Sequence, residues 1–209
     1  MNRNNKSALG LFSIILNINF IFIILAIIWG IAKKEPSMKF QEYGFITKFS
    51  ALQLFIIGIV CFRSFQNTKK IIWLLIALGF SFLALDELFL IHENLDQWIH
   101  NIFNLEKTKW TDKIDDFIIL FYGIIGAIFM TGNYRVFIKN KPGLLITATG
   151  FLLMVLSVII DTTTNDTLVF STKLIDGDIQ YHIAAIIEES FKIISEGTLL
   201  TGFITYLKS

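Results

Sequence analysis

The apolar residues of this chain come in six long blocks, near positions 11–32, 45–65, 71–91, 117–138, 144–160 and 183–206. Each approaches the roughly 20 residues that a helix needs to cross the hydrocarbon core of a bilayer. Lipid offers no partner to a backbone N–H or C=O, so such a block must satisfy both within itself, as a helix. The expected fold is all-α: a six-helix transmembrane bundle forming a single polytopic membrane domain over residues 1–209. Composition agrees. Hydrophobic residues make up 54% of the chain and the mean hydropathy is +0.64. Soluble domains average about 45–50% on a count that also includes glycine.

Several function classes drop out at this stage. The net charge of +1 leaves no basic footprint for nucleic acid. The single cysteine, Cys61, excludes an intrachain disulfide and a Cys-rich metal site. Pro36 and Pro142 fall between apolar blocks, where they act as turn punctuation. Arg3 and Lys6 precede the first block as they would in a signal peptide. The apolar run is too long for one, and no small-residue cleavage site follows Trp29, so a retained helix is expected. Abundant Ile, Phe, Asn and Lys point to an AT-rich bacterial genome.

Charge sets the expected orientation. With the N-terminus inside, the inner segments hold Arg3, Lys6, Arg63, Lys69, Lys70, Arg135, Lys139, Lys141 and Lys208, and no acid. Lysines also occur in the outer loops, so it is the segregation of acids that sharpens the pattern. The expectation is N-in and C-in, in the cell inner (plasma) membrane. Trp29, Trp73, Tyr134, Tyr181 and Tyr206 fall at block ends, as an interfacial aromatic belt requires.

The acids then gather on one side. The third block ends in LALDELFLIHE, which carries Asp86, Glu87, His92 and Glu93. Asp115 and Asp116 open the fourth block, Asp161 closes the fifth, and Glu188 and Glu189 lie about two turns into the sixth. A charge at bilayer depth costs about 2.5–3.5 kcal/mol on insertion scales, so such groups need partners, ions or a proton path. On a continuous third helix Asp86 and Glu93 share a face, with His92 and Asp96 beside it, and Glu87 points off it. On the sixth, Glu188, Glu189, Lys192 and Glu196 form one stripe. One lysine cannot neutralise three glutamates.

Carboxylates with imidazole suit Zn, Fe or Mn, and carboxylates alone suit Ca. The candidate metal ligands are Asp86, His92, Glu93, Asp161 and Glu189, around a divalent metal ion. Glu87 and Glu188 are the candidate catalytic bases, and Lys192 and Glu196 the other members of the polar site. The bland readings are His92 and Glu93 in headgroup water, and a Lys192 ion-pair ladder along the sixth helix. Asp112, Asp115 and Asp116 read as helix N-terminal caps, and His100 and His182 as structural. Residues 98–110 read weakly as a segment lying flat on the outer surface. The chain has no phosphate-binding Gly loop, HExxH, CxxC or GxSxG. Glu87 to His92 is not the ExxH spacing of di-iron bundles.

The pattern LDELFLIHE, a lone late acid in the fifth block and then IIEESFKIISEG resembles a family of uncharacterised bacterial polytopic membrane proteins. Its members carry LDExxxxHE in one span and an EE pair followed by a Gly in the last. Here these positions are Leu85, Asp86, Glu87, His92, Glu93, Glu188, Glu189 and Gly197. The resemblance implies a family and brings no activity with it.

Three functions are open to such a chain. The first is a metal-dependent hydrolase acting on a membrane lipid or amphiphile from the outer leaflet. The second is a proton- or cation-coupled transporter or channel subunit. The third is a non-catalytic assembly or sensor subunit. A homo-oligomer is compatible with all three. A transporter needs a polar path that continues inward past Glu196, whereas an enzyme needs a site closed on that side.

Overall fold

The structure is a computed structural model that describes residues 3–40, 44–106, 108, 111, 114–164 and 177–208. Side chains are described for these except residues 3–7, 116, 161–164 and 177–181. The described residues are helical, with no strand. Eight helices follow in order: α1 (Arg3–Ala32), α2 (Phe45–Thr68), α3 (Ile71–Phe89), α4 (Ile91–Phe103), α5 (Ile114–Gly132), α6 (Tyr134–Phe137), α7 (Lys141–Thr164) and α8 (Gly177–Leu207).

Four of them, over Ala8–Ala32, Phe45–Thr68, Ile71–Phe89 and Lys141–Ile160, are long and apolar enough to cross a membrane, and Phe117–Gly132 is a shorter apolar helix. Their outer faces carry large apolar side chains in the open, among them Ile14, Ile28, Phe55, Leu78, Ile128 and Leu152. An exposed apolar surface of this extent belongs to a membrane protein.

The helix ends explain the topology. Lys69 closes α2 in the left-handed region (φ 58°), its N–H returning to the Phe65 carbonyl, and α3 begins two residues later. Leu90 does the same at the end of α3 (φ 50°), its N–H returning to the Asp86 carbonyl. The third span thus ends two residues before the expected Ile91, and the helix that would have continued through His92 and Glu93 is broken at Leu90, where α4 starts anew. Nothing in LFLI announces it, because neither Gly nor Pro is present. In α4 the polar Asp96 and His100 are buried, while Leu95, Trp98, Ile102 and Phe103 are exposed. The helix therefore turns Asp96 and His100 to the protein and exposes an apolar strip, Leu95, Trp98 and Ile102, beside the polar Asn94, Gln97 and Asn101. Of the surface segment expected over 98–110, residues 98–103 fall in α4, and Lys107, Lys109 and Trp110 lie outside the described residues.

α8 is the shaft of the bundle, with α7, α2 and α1 packed around it. From Ser195 to Phe203 every side chain is buried. Small residues let the neighbours approach. A Cβ at Gly150 would lie 2.8 Å from Leu199 side-chain atoms, and a Cβ at Gly202 would collide with the Thr147 hydroxyl. Close backbone approach through small residues is how helices associate in lipid, where burial of apolar surface gives no drive. At the end where α3 begins and α8 finishes, Trp73, Phe80, Phe137, Phe203 and Tyr206 form an edge-packed aromatic cluster. The acidic residues of α3, α4 and α8 lie toward the other end.

Candidate functional site

Two linked groups occupy the polar end of the bundle. The first is built on the break at Leu90. Asp86 is buried in the last turn of α3, and the turn folds His92 back over it. The backbone N–H of His92 donates to Asp86 Oδ1 at 2.9 Å, and His92 Nδ1 lies 2.8 Å from Asp86 Oδ2. Asp86 thus caps the start of α4 and fixes the imidazole with the same carboxylate. The remaining ring nitrogen, Nε2, faces Glu93 at 3.9 Å. Burial acts to lower the His92 pKa. The hydrogen bond and charge of Asp86, with Glu93 and Glu87, outweigh it and hold the pKa above its ordinary value.

The second group joins α3 to α8. Glu87 Oε1 lies 2.6 Å from Lys192 Nζ, and Glu189 Oε1 lies 3.0 Å from the same nitrogen. Glu87, off the face that Asp86 occupies as helical spacing requires, meets α8 because the packing of α3 turns that side inward. One turn further along α8, Glu196 is fully enclosed and accepts a hydrogen bond from Ser50 Oγ of α2 at 2.7 Å. Of the stripe expected on this helix, Glu189, Lys192 and Glu196 enter the bundle, and Glu188 is half-buried beside them.

The outer rim holds two further pairs. His100 Nδ1 lies 3.0 Å from Asp96 Oδ1 one turn earlier, and Ser37 Oγ lies 2.7 Å from His182 Nδ1. Asp115 lies in the first turn of α5, where an acid favours the helix dipole. Asp112 lies outside the described residues, as do the side chains of Asp116 and Asp161, although Asp161 falls in the last turns of α7.

Of the five candidate metal ligands, Asp86, His92 and Glu93 come together on the α3–α4 turn, whereas Glu189 is engaged by Lys192 on α8. Among the described residues no three His, Cys, Asp or Glu side chains converge on one metal position. Asp86 holds the place of a bracing partner behind His92, an arrangement common to metal-bound and base-acting histidines.

Sequence reasoning missed Asn19, Ser50 and Gln53, which are buried around Glu196 and Gly197. The available signal was a polar residue isolated in an apolar span, Asn19, and two polar residues one turn apart, Ser50 and Gln53.

The motif glycine also acquires a reason. A Cβ at Gly197 would collide with the Asn19 amide and lie 3.0 Å from Gln53 Oε1. α1 and α2 can close on α8 there only over a glycine.

No curated protein matches the chain, and no solved structure matches it. A protein family does: the chain belongs to the family described as a domain of unknown function (DUF8692), which matches residues 20–207.

Proposed function

We propose that this DUF8692 protein is a membrane-embedded hydrolase whose site opens at one face of the bilayer and acts on a lipid or other amphiphile. The observation that carries the reading is the asymmetry of the bundle. Among the described residues the acidic side chains of α3, α4 and α8 cluster toward one end, and the other end is packed with aromatic rings. Between them, the hydroxyls of Thr198, Thr201 and Thr205 are turned back onto carbonyls of their own helix. A polar path that stops at Glu196 suits a site entered and left from the same side.

Each group has a role in this reading. His92, braced by Asp86, presents Nε2 as the base that takes a proton from water, or as a ligand to a divalent metal shared with Glu93. Lys192 stabilises the negative charge that develops on an attacked ester or amide oxygen. Glu87 and Glu189 hold the ammonium in place. The substrate reaches the site from the lipid, past the exposed apolar side of α4.

The wider assignment is six spans, with N- and C-termini on the cytoplasmic side of the plasma membrane. Its support is the length of α8, 31 residues, whose polar groups face α2 and α3, and the absence of acids from the inner segments.

The test is twofold. Purified protein is incubated with membrane lipid extract and the products are read by mass spectrometry, for wild type, His92→Ala and Lys192→Met. Metal content is measured in wild type, Asp86→Ala and Glu189→Ala. A wild-type product lost in both activity variants supports the reading. Lipid left intact by the wild type sinks it. A metal-free active wild type leaves the base role of His92 and removes the metal.

A further inference from the structure

One buried cluster lies beyond the groups just described. Where α1, α2 and α8 meet, Asn19 Nδ2 donates to the Ile193 carbonyl at 2.7 Å and Gln53 Nε2 reaches the same carbonyl at 3.4 Å. Both amides are thereby oriented, with their nitrogens on Ile193 and their oxygens turned elsewhere. Asn19 Oδ1 and Gln53 Oε1 are each buried with no hydrogen-bond partner among the described residues. So is Glu196 Oε2, whose sister oxygen is held by Ser50. The three side chains are at most 3% exposed. They neighbour one another along α8, because the Asn19 amide nitrogen and Gln53 Oε1 both approach Gly197, the residue after Glu196, and Ser50, which holds Glu196, lies one turn before Gln53.

The chemistry of these orphan atoms is one-sided, because all three are acceptors. A buried acceptor without a partner costs about as much as a lost hydrogen bond, and three on neighbouring side chains call for a positively polarised guest. A water molecule can donate to two of them. A proton on Glu196 serves one more. Among the described residues Glu196 makes no ion pair, because Lys192 Nζ is spent on Glu87 and Glu189. One carboxylate oxygen, two amide oxygens and a nearby hydroxyl oxygen form an all-oxygen donor set with a single negative charge. Divalent calcium takes 6–8 oxygens, commonly several of them carboxylate, so this set suits a smaller charge.

We infer that Asn19, Gln53, Glu196 and Ser50 form a buried site for one sodium ion at the junction of α1, α2 and α8. The bound ion offsets the charge of Glu196 and ties α1 and α2 to the central helix. The site is separate from the catalytic reading: a protein without hydrolase activity could still bind the ion.

The test uses full-length protein in detergent. Thermal unfolding is followed in sodium chloride and in choline chloride at equal ionic strength and pH. Sodium is expected to raise Tm in a saturable way by on the order of a few degrees, and to broaden the ²³Na resonance. Glu196→Gln and Asn19→Ala should remove both effects. If either variant fails to fold, the wild-type measurements alone decide. Equal Tm in the two salts with an unbroadened resonance overturns the proposal. So do folded variants that keep the wild-type sodium response. A Tm that follows pH but ignores sodium assigns the position to a proton and overturns the ion.

Discussion

Glu87 of α3 and Lys192 of α8 meet at 2.6 Å inside the bundle, and Glu189 shares the same ammonium at 3.0 Å. The lysine therefore lies between two carboxylates that its removal would leave facing each other. Lys192→Met should destabilise the protein by about 3–5 kcal/mol, the usual cost of leaving buried charge unpaired. Glu87→Gln should cost less, since Lys192 keeps Glu189. The triple variant Glu87→Gln, Glu189→Gln, Lys192→Met should regain much of the loss. Thermal unfolding in detergent ranks the three. A single Lys192→Met variant as stable as wild type would show that the contact carries no weight.

Glycine positions in this bundle divide by what surrounds them. Gly197→Ala drives a methyl into the Asn19 amide and should cost about 1–3 kcal/mol, the range for overpacking. Gly79 in α3 and Gly126 in α5 have nothing within 4 Å of a built Cβ. Alanine there should be neutral or stabilising by up to about 1 kcal/mol, because alanine is the better helix former. The comparison is made on purified variants by unfolding. Equal losses at Gly197 and Gly79 would mean that the α1–α8 contact is not where the structure puts it.

The Asp86–His92 pair makes stability depend on pH with a definite sign. The folded state holds the His92 pKa above 6.5, so the protonated imidazole favours the native protein. That contribution is complete below the unfolded pKa and is lost as pH rises through the folded one. Asp86→Asn removes the charge and one acceptor, so the His92 pKa should fall and this part of the pH dependence should flatten. Titration of the His92 ring resonances by NMR, in wild type and variant, measures the change directly. An unchanged His92 pKa in Asp86→Asn would sever the pair.

These residues show how far the sequence could be read. The long apolar blocks declared their helices, because a bilayer admits few other structures for them, and α1, α2, α3 and α7 lie where those blocks were drawn. The concentration of acids on α3 and α8 was equally visible. Their pairing was not. A face assignment from helical spacing holds only while the helix continues, and α3 stops at Phe89 with no glycine or proline to mark it. Asp86 and Glu93 therefore do not share the helical face that spacing predicts. Asp86 meets His92 across a turn, and Glu87, on another face of α3, meets Lys192. Asn19 and Gln53 were silent for another reason: a neutral amide in an apolar span gains meaning only from the helix it touches, here at Ile193 and Gly197.

Two of the left-handed residues at helix ends, Lys69 and Leu90, should answer oppositely to glycine. A non-glycine residue in this region costs roughly 1–2 kcal/mol. Lys69 is exposed, so Lys69→Gly loses little packing and should stabilise by about 0.5–1 kcal/mol after the entropy of the unfolded chain is counted. Leu90 has the same backbone strain but a buried side chain, 6% exposed. Leu90→Gly should destabilise, because a lost core leucine costs about 2–5 kcal/mol and outweighs the relief. Unfolding of both variants under one set of conditions is the check, and a stabilised Leu90→Gly would overturn the account of the α3–α4 turn.

The last prediction concerns α4, which buries Asp96 and His100 and leaves Trp98 58% exposed beside Leu95, Ile102 and Phe103. In a water-soluble protein that arrangement would be inverted. It fits a helix lying in the membrane interface, its apolar side among acyl chains near the headgroups. A variant retaining Trp98 as its sole tryptophan, reconstituted with lipids brominated at defined depths, should be quenched most by bromines close to the headgroups. Replacing Trp98 and Ile102 with glutamate should abolish that contact and lift α4 from the lipid. In the proposed hydrolase, lipid turnover should fall with it, because α4 carries His92 and borders the path by which an amphiphile enters. Quenching by deep bromines alone would place α4 as a spanning element, and an unquenched Trp98 would place it in water.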